Sequence, residues 1–135
     1  MTDHDFDWED YFDLGVELRD NYDGEAYFRT IISRFYYACF GVTRKYLIEN
    51  KIFRNKYSNK ILKSKSPKVH SEVLKILKDN TIENRIPEHK QIYNYLNKLR
   101  RMRNVADYDC DVKIDDYCVE YFLYRARIIL EILDK

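Results

Sequence analysis

Hydrophobic side chains recur every three or four residues along most of this chain, the spacing that places them on one face of an α-helix. The clearest run covers about 24–50 and is long enough to cross a whole domain. Weaker periodicity predicts helices over about 7–20, from Ser66 onwards, from near Pro87 to near Tyr108, and over about 115–134. No segment shows the alternation typical of strands. The pattern predicts an all-α protein, an up-and-down bundle of four to five helices.

Local signals support two of the predicted helix starts. Ser66 is a typical N-cap residue and Pro67 suits a first helical position, while Asp115 and Asp116 are cap candidates for the last helix. We expect the third helix to turn inward Val69, Val73, Ile76 and Leu77. The last helix is apolar on two sides, through Tyr117, Tyr121, Phe122, Tyr124, Ile128, Ile129 and Ile132. That breadth indicates a central helix or an oligomer contact.

Charge is distributed unevenly, although the net charge is only +1. Acidic residues crowd the first helix and its flanks, within 1–23, whereas 51–65 is predicted to be a basic loop in which Phe53 and Tyr57 lie among lysines. Such a loop is most often only solvated, but its aromatic rings suit stacking on unpaired bases. The asymmetry predicts a basic face for phosphate or an acidic arm folded onto the chain's own basic surface.

Composition narrows the class of protein. The 135 residues suit one domain, 1–135, with 45% hydrophobic and 35% charged residues and only three glycines and two prolines. Cys39, Cys110 and Cys118 lack the paired spacing of a metal site or a disulfide framework, so we expect a reducing cytoplasm. No apolar run approaches the ~18 residues needed to span a bilayer. We therefore expect no membrane, metal or cofactor partner.

The densest polar chemistry lies at 99–109, near the end of the predicted fourth helix. At 100° per residue, Arg100, Arg103, Asn104 and Asp107 fall on one stripe beside an apolar face. A carboxylate in a last helical turn opposes the helix dipole unless a cation holds it there. We therefore expect Asp107 to have an arginine partner, with Arg103 at the border of the core.

Three short motifs carry a family resemblance. They are SRFYYACF at 33–40, His70–Ser71, and RNVADY at 103–108, in the same order over roughly 24–125. Together they resemble the higher eukaryote and prokaryote nucleotide-binding (HEPN) family, in its branch of small standalone bacterial and archaeal proteins. The resemblance implies a helical bundle of HEPN type, usually a homodimer, associated with nucleotidyltransferases, toxin–antitoxin pairs or antiviral defence.

The sequence departs from the catalytic members of that family at one position. Those members are metal-independent endoribonucleases in which a histidine follows an arginine after four to six residues. Here no histidine follows His89, so Ala106 or Tyr108 takes that place, according to whether Arg101 or Arg103 is the reference. Either register removes the imidazole, the usual general acid or base near neutral pH. Whether the chain is an enzyme therefore stays open.

Candidate roles follow from these motifs. Arg103 would steady a scissile phosphate while Asp107 or Tyr108 handles protons, or Arg103 and Asp107 form only a structural ion pair. His70 is predicted to hydrogen-bond at its helix entry, the alternative being a relocated catalytic histidine. The candidate contacts to RNA or a nucleotide are Arg100, Arg101, Asn104, Lys56 and Lys60, and the candidate supporting residues are Ser33, Arg34, Tyr37 and His70.

Two functions remain open. The first is an RNA-binding or RNA-cleaving effector of a toxin–antitoxin or defence system, as a homodimer whose two fourth helices share a polar cleft. The alternative is a non-catalytic module that binds a nucleotide or a partner, such as a nucleotidyltransferase or an antitoxin. In a separate expectation, the second and fourth helices pack so that the 33–37 turn faces Asp107, with Arg34 and Tyr37 orienting that carboxylate.

Overall fold

The structure, a computed structural model, describes residues 6–83 and 87–134. These residues form six helices and no strand: α1 (Glu9–Asn21), α2 (Glu25–Glu49), α3 (Lys56–Leu62), α4 (Lys68–Glu83), α5 (Pro87–Tyr108) and α6 (Asp116–Leu133). The predicted all-helical bundle is confirmed. It has one helix more than expected, because a short helix lies inside the segment predicted to be a basic loop.

The central helix is α2, which packs against all five others, whereas α6 packs against α1, α2 and α5. Helix α2 begins after Gly24, whose φ of 122° is a conformation that residues other than glycine rarely adopt. From there its inward face carries Ile31, Ile32, Phe35, Tyr36, Cys39, Phe40 and Leu47, all nearly or completely buried. Because α2 is buried on several sides, it sets the positions of the side chains on α4 and α5.

The additional helix, α3, is held by a buried carboxylate on α4. Asn55 caps it by accepting a hydrogen bond from the Ser58 backbone N–H at 2.8 Å. Glu72, only 3% exposed, accepts from the Ser58 hydroxyl at 2.7 Å and from Arg54 at 2.8 and 2.9 Å. Hydrogen bonds from Arg54 hold the pKa of that carboxyl below its usual range. The prediction of a loop throughout 51–65 is therefore wrong at 56–62.

The predicted starts of α4 and α6 have the expected caps. The Ser66 hydroxyl accepts from the Lys68 N–H at 3.2 Å, and Asp115 accepts from the Cys118 N–H at 3.0 Å. Asp116 is the first residue of α6 rather than its cap. The four residues predicted to face inward from α4 are all buried: Val69, Val73, Ile76 and Leu77. The helical periodicity therefore identified the correct face.

The first helix lies on α2 and α6, where Arg19 pairs with Glu120. Trp8 packs directly on Gly41 of α2, and a Cβ there would lie 2.0 Å from the nearest ring atom. In the described part of the acidic 1–23 segment, which excludes residues 1–5, α1 makes no contact with α3. Among the described residues, the acidic helix is thus not packed against α3.

Candidate functional site

Polar residues of α2 and α5 surround one open cavity of about 440 Å³. Ser33, Arg34 and Tyr37 border it from α2, and Asp107 borders it from α5. The spacing of the motifs along two long helices therefore brings the 33–37 turn and the carboxylate together at one surface. The expected packing of the 33–37 turn towards Asp107 is therefore confirmed.

Arg103 lies between the aromatic rings of α2 and Asp107. Its guanidinium carbon is 5.2 Å from the Tyr36 ring centroid and 5.4 Å from that of Tyr37, so both rings face the cation. Its Nη1 is 3.8 Å from Asp107 Oδ2, an ion-pair distance that is too long for a hydrogen bond. Its Nε is buried without a hydrogen-bond partner. The arginine is thus positioned mainly by its contacts with the two tyrosine rings, and its guanidinium makes no hydrogen bond within the described residues.

Arg34 has a different role from the predicted one. Its guanidinium lies over the Tyr11 ring at 4.6 Å and near Tyr37 at 5.6 Å, and it donates to the Ser33 hydroxyl at 3.3 Å. Among the described residues, the ion partner of Asp107 is Arg103, and Arg34 makes no ion pair with it. The prediction that Arg34 orients Asp107 is therefore wrong. Its stacking on Tyr11 instead fastens α1 to this part of α2.

His70 reaches from α4 across to α2. Its Nδ1 lies 2.6 Å from the Tyr36 hydroxyl, and its ring stacks on Phe40 with centroids 4.2 Å apart. Burial, together with the positive charges of Arg103, Arg100 and Arg44, lowers the pKa of this imidazole to about 4. The ring of His70 thus hydrogen-bonds to Tyr36 and not at the entry of its own helix, where Ser66 is the cap. His70 belongs to the cluster around Tyr36 and Arg103.

The outer side of α5 carries unpaired cations. Arg101 is exposed and Arg100 is half-buried, and among the described residues neither makes an ion pair or a hydrogen bond. Asn104 and Tyr108 are exposed beside them, with the Tyr108 side chain 79% exposed. Nothing in the described part of the chain fixes the phenol of Tyr108. The basic groups of this helix are therefore open to a ligand.

Lys56 and Lys60 lie on another part of the surface. Both are exposed on α3, which packs against α2 and α4 and does not touch α5 in the described ranges. The end of α3 is tied to α2 by Arg44, which donates to the carbonyls of Leu62 at 2.6 Å and Ser64 at 3.1 Å. The structure therefore separates the lysines from the α5 arginines, with Arg44 between the two groups.

Arg29 was missed by the sequence analysis, although it positions the end of α5. It donates to the carbonyls of Val105 at 3.1 Å, Ala106 at 3.0 Å and Asp109 at 2.9 Å, and also to that of Val112. Glu25, one turn earlier, pairs with it at 2.9 Å. This i,i+4 pair was the available signal. A cation on the last carbonyls of α5 offsets the unfavourable dipole at Asp107.

A larger cavity of about 610 Å³ lies elsewhere, between the start of α1 and the end of α2. Its charged lining is mostly acidic, since Asp7, Glu9, Glu49 and Asp134 surround Lys45. Burial and the neighbouring carboxylates, that of Asp134 first, raise the pKa of Glu9. Such a lining repels phosphate, so the cationic face of α5 is the better candidate for an anionic ligand.

Fold and site together define a small helical bundle with a cationic, aromatic-lined face. The chain is 34% identical to the Uncharacterized protein MJ0628 of Methanocaldococcus jannaschii, over 78% of this chain and 71% of that protein. It therefore belongs to the family of MJ0628. It is also 26% identical to the Putative toxin MJ0142 of the same organism, over 85% of this chain and 69% of that protein.

Other comparisons give no further relatives. No family model matches the chain, so the HEPN resemblance has no independent support of that kind. No solved structure matches it either. Within the described residues, every helix is too short or too polar to cross a membrane.

Proposed function

We propose that this chain is an RNA-directed, toxin-like protein of HEPN type that acts in a toxin–antitoxin or defence system. In this proposal the backbone of single-stranded RNA binds along α5, with Arg100 and Arg103 on the phosphates. Arg101 and Asn104 extend the contact on the exposed side of the helix. The name of the relative MJ0142 supports the toxin-like class, and the chemistry of α5 supports the ligand.

The observation that carries the proposal is that Arg100 and Arg101 of α5 have no counter-charge among the described residues. Three arginines occur within four residues, and the one ion pair that they make among the described residues joins Arg103 to Asp107 at 3.8 Å. Arginines with few counter-charges attract phosphate, because guanidinium binds its oxygens through two parallel hydrogen bonds. A polyanion therefore suits this face better than a neutral ligand does.

A second basic area supports a single-stranded rather than a duplex ligand. On and beside α3, Phe53 is 36% exposed and Tyr57 is 62% exposed, among lysines that include Lys56 and Lys60. Exposed rings among cations stack on unpaired bases, which a duplex does not offer. We assign this area to a more distant part of a bound strand, because α3 does not contact α5 in the described residues.

Salt-dependent binding tests the proposal. Labelled decauridylate should bind the wild-type protein at low salt, with affinity falling by ~0.7 log unit per tenfold rise in salt for each phosphate contact. Arg100→Gln should weaken binding about three- to tenfold and reduce that slope by one contact. Arg127→Gln is the matched control, because Arg127 is an exposed cation on α6. Absence of wild-type binding at low salt, or equal losses in the two variants, would contradict the proposal.

A partner-binding module is the second candidate, favoured by the ion pair between Arg103 and Asp107 and by the missing histidine on α5. In that case the partner would be a nucleotidyltransferase or an antitoxin. Arg103→Lys separates the two functions, because it keeps the charge and loses the planar fork. An RNA-directed protein should lose RNA affinity with its fold intact, whereas a module should lose mainly thermal stability.

A further inference from the structure

One titratable group near the α5 arginines has no role in the function proposed above. The imidazole of His70 is held on α4 by stacking on Phe40 and by the 2.6 Å contact with the Tyr36 hydroxyl. That contact uses Nδ1, and Nε2 makes no hydrogen bond among the described residues. Nε2 is also not one of the solvent-excluded polar atoms without a partner. It therefore remains available to a ligand.

The Tyr36 hydroxyl determines which nitrogen of His70 carries the proton. Tyr36 is 1% exposed, and its hydroxyl has no other hydrogen-bond partner among the described residues. If Nδ1–H donated to this oxygen, the phenolic proton would be buried without an acceptor, which is costly. The hydroxyl therefore donates to Nδ1. In the neutral ring the proton then resides on Nε2, which becomes a hydrogen-bond donor.

We propose that His70 is a phosphate ligand in its neutral form, donating from Nε2–H to the RNA phosphate that Arg100 and Arg103 bind. This inference rests on the proposed function and extends the phosphate site from α5 to α4. Tyr36 is the positioning residue, because it fixes both the ring and its tautomer. The Arg103 guanidinium faces the same Tyr36 ring from α5, so the two donors flank one aromatic side chain.

The electrostatics of the cluster favour a neutral donor. The charged and titratable groups around the His70 ring are Tyr36, Tyr37 and Arg44 on α2 and Arg100 and Arg103 on α5. Three of these five groups are permanent cations, and with burial they lower the pKa of the imidazole to about 4. The ring thus stays neutral between pH 6 and 8. Its contribution to RNA affinity should not change over that range, unlike that of an ordinary surface histidine with a pKa near ~6.5.

Two substitutions at residue 70 separate the donor from the packing. His70→Phe keeps an aromatic ring on Phe40 and removes both nitrogens, so affinity for decauridylate should fall about tenfold. His70→Gln supplies an amide N–H near the Nε2 position and should stay within about threefold of the wild type. Tyr36→Phe should weaken binding about threefold, because the tautomer is no longer fixed. Tyr46→Phe is the matched control, since it removes the hydroxyl of a second tyrosine–histidine pair, with His89 at 3.0 Å.

The tautomer and the pH profile are read independently of affinity. In 15N spectra of histidine-labelled protein, Nδ1 of His70 should be unprotonated and Nε2 protonated from pH 6 to 8. Over the same range, the ratio of the RNA affinities of the wild type and His70→Phe should be constant. An Nδ1–H tautomer, an advantage that titrates near pH 6.5, or equal RNA affinity of wild type and His70→Phe would overturn this inference alone. Absence of wild-type RNA binding would overturn the proposed function as well. Binding of uridine 5′-monophosphate distinguishes a nucleotide phosphate from an RNA phosphate. If His70→Phe weakened binding of this nucleotide but not of decauridylate, the assignment to RNA would be overturned.

Discussion

Loss of the Asp107 carboxylate should strengthen RNA binding, although this residue lies in the candidate site. Asp107→Asn removes the carboxylate that faces Arg103 at 3.8 Å and keeps the size of the side chain. If phosphate competes with this carboxylate for the arginine, the substitution should raise RNA affinity. A role for Asp107 in proton transfer predicts the opposite for any activity on RNA, and a structural anchor predicts a large loss of stability.

The magnitudes follow from the geometry of the pair. The Asp107 side chain is 30% exposed and that of Arg103 is 12% exposed. At this separation the Coulomb energy is ~1 kcal/mol in water and ~4 kcal/mol at an effective dielectric of about 20. Measured exposed pairs contribute only ~0.2–1 kcal/mol after desolvation and entropy. The pair of Arg103 and Asp107 is partly buried, but at 3.8 Å it adds no hydrogen bond to the charge interaction. We therefore expect the free energy of unfolding to fall by less than about 1 kcal/mol.

The gain in RNA affinity comes from relieving repulsion. A carboxylate about 8 Å from a bound phosphate costs ~0.5 kcal/mol in water and more in a partly buried site. Asp107→Asn should thus bind decauridylate about two- to fivefold more tightly, measured by fluorescence anisotropy at a fixed low salt concentration. Glu131→Gln removes the same charge from the exposed side of α6 and serves as the control. Weaker RNA binding by Asp107→Asn, or a destabilisation above about 2 kcal/mol in denaturant unfolding, would refute the reasoning.

Four further outcomes can be measured. Gly41→Ala should lower the free energy of unfolding by about 2–4 kcal/mol, since its Cβ would lie 2.0 Å from the Trp8 ring, and an unchanged denaturation midpoint would contradict this packing. Glu72→Gln should cost about 2 kcal/mol in the same assay, because it weakens the charged hydrogen bonds from Arg54 while Asp79 remains 3.9 Å from the guanidinium. Burial lowers the pKa of His89, so the unfolded chain takes up its proton first and stability falls as pH drops below ~6.5. His89→Gln should make that dependence shallower in denaturant unfolding between pH 6.5 and 5, and an unchanged slope would show that His89 does not cause it. Light scattering at micromolar concentration should report a homodimer, given the exposed rings of Tyr117 and Tyr124 on α6, and a monomer would exclude the shared cleft.

The fold was largely predictable because its helices are long and amphipathic. The 3.6-residue period needs no knowledge of the partner helix, so the inward residues of α4 were identified from the sequence. The seven-residue α3 was not, since one face of so short a helix holds little apolar signal among its lysines. What stabilises it is the carboxylate of Glu72, 14 residues beyond Ser58 and recognisable only once α3 and α4 are adjacent.

The site was predictable in its members and not in their contacts. The motifs contain Ser33, Tyr37, His70 and Arg103, but which side chains touch depends on how three helices cross. The spacing of i and i+4 within α5 correctly suggested Arg103 for Asp107. The contact of His70 with Tyr36 joins residues 34 positions apart, and no local pattern encodes it.

Arg29 stabilises the last turn of α5 from outside that helix. The final carbonyls of a helix are usually satisfied by water, by the backbone beyond a C-terminal glycine, or by a nearby cation. Here the side chain of Arg29, on the neighbouring helix α2, donates hydrogen bonds to the carbonyls of Val105, Ala106 and Asp109. The end of α5 therefore does not depend on the side chains at positions 107 and 108. Substitutions there can change the surface chemistry while the helix stays folded.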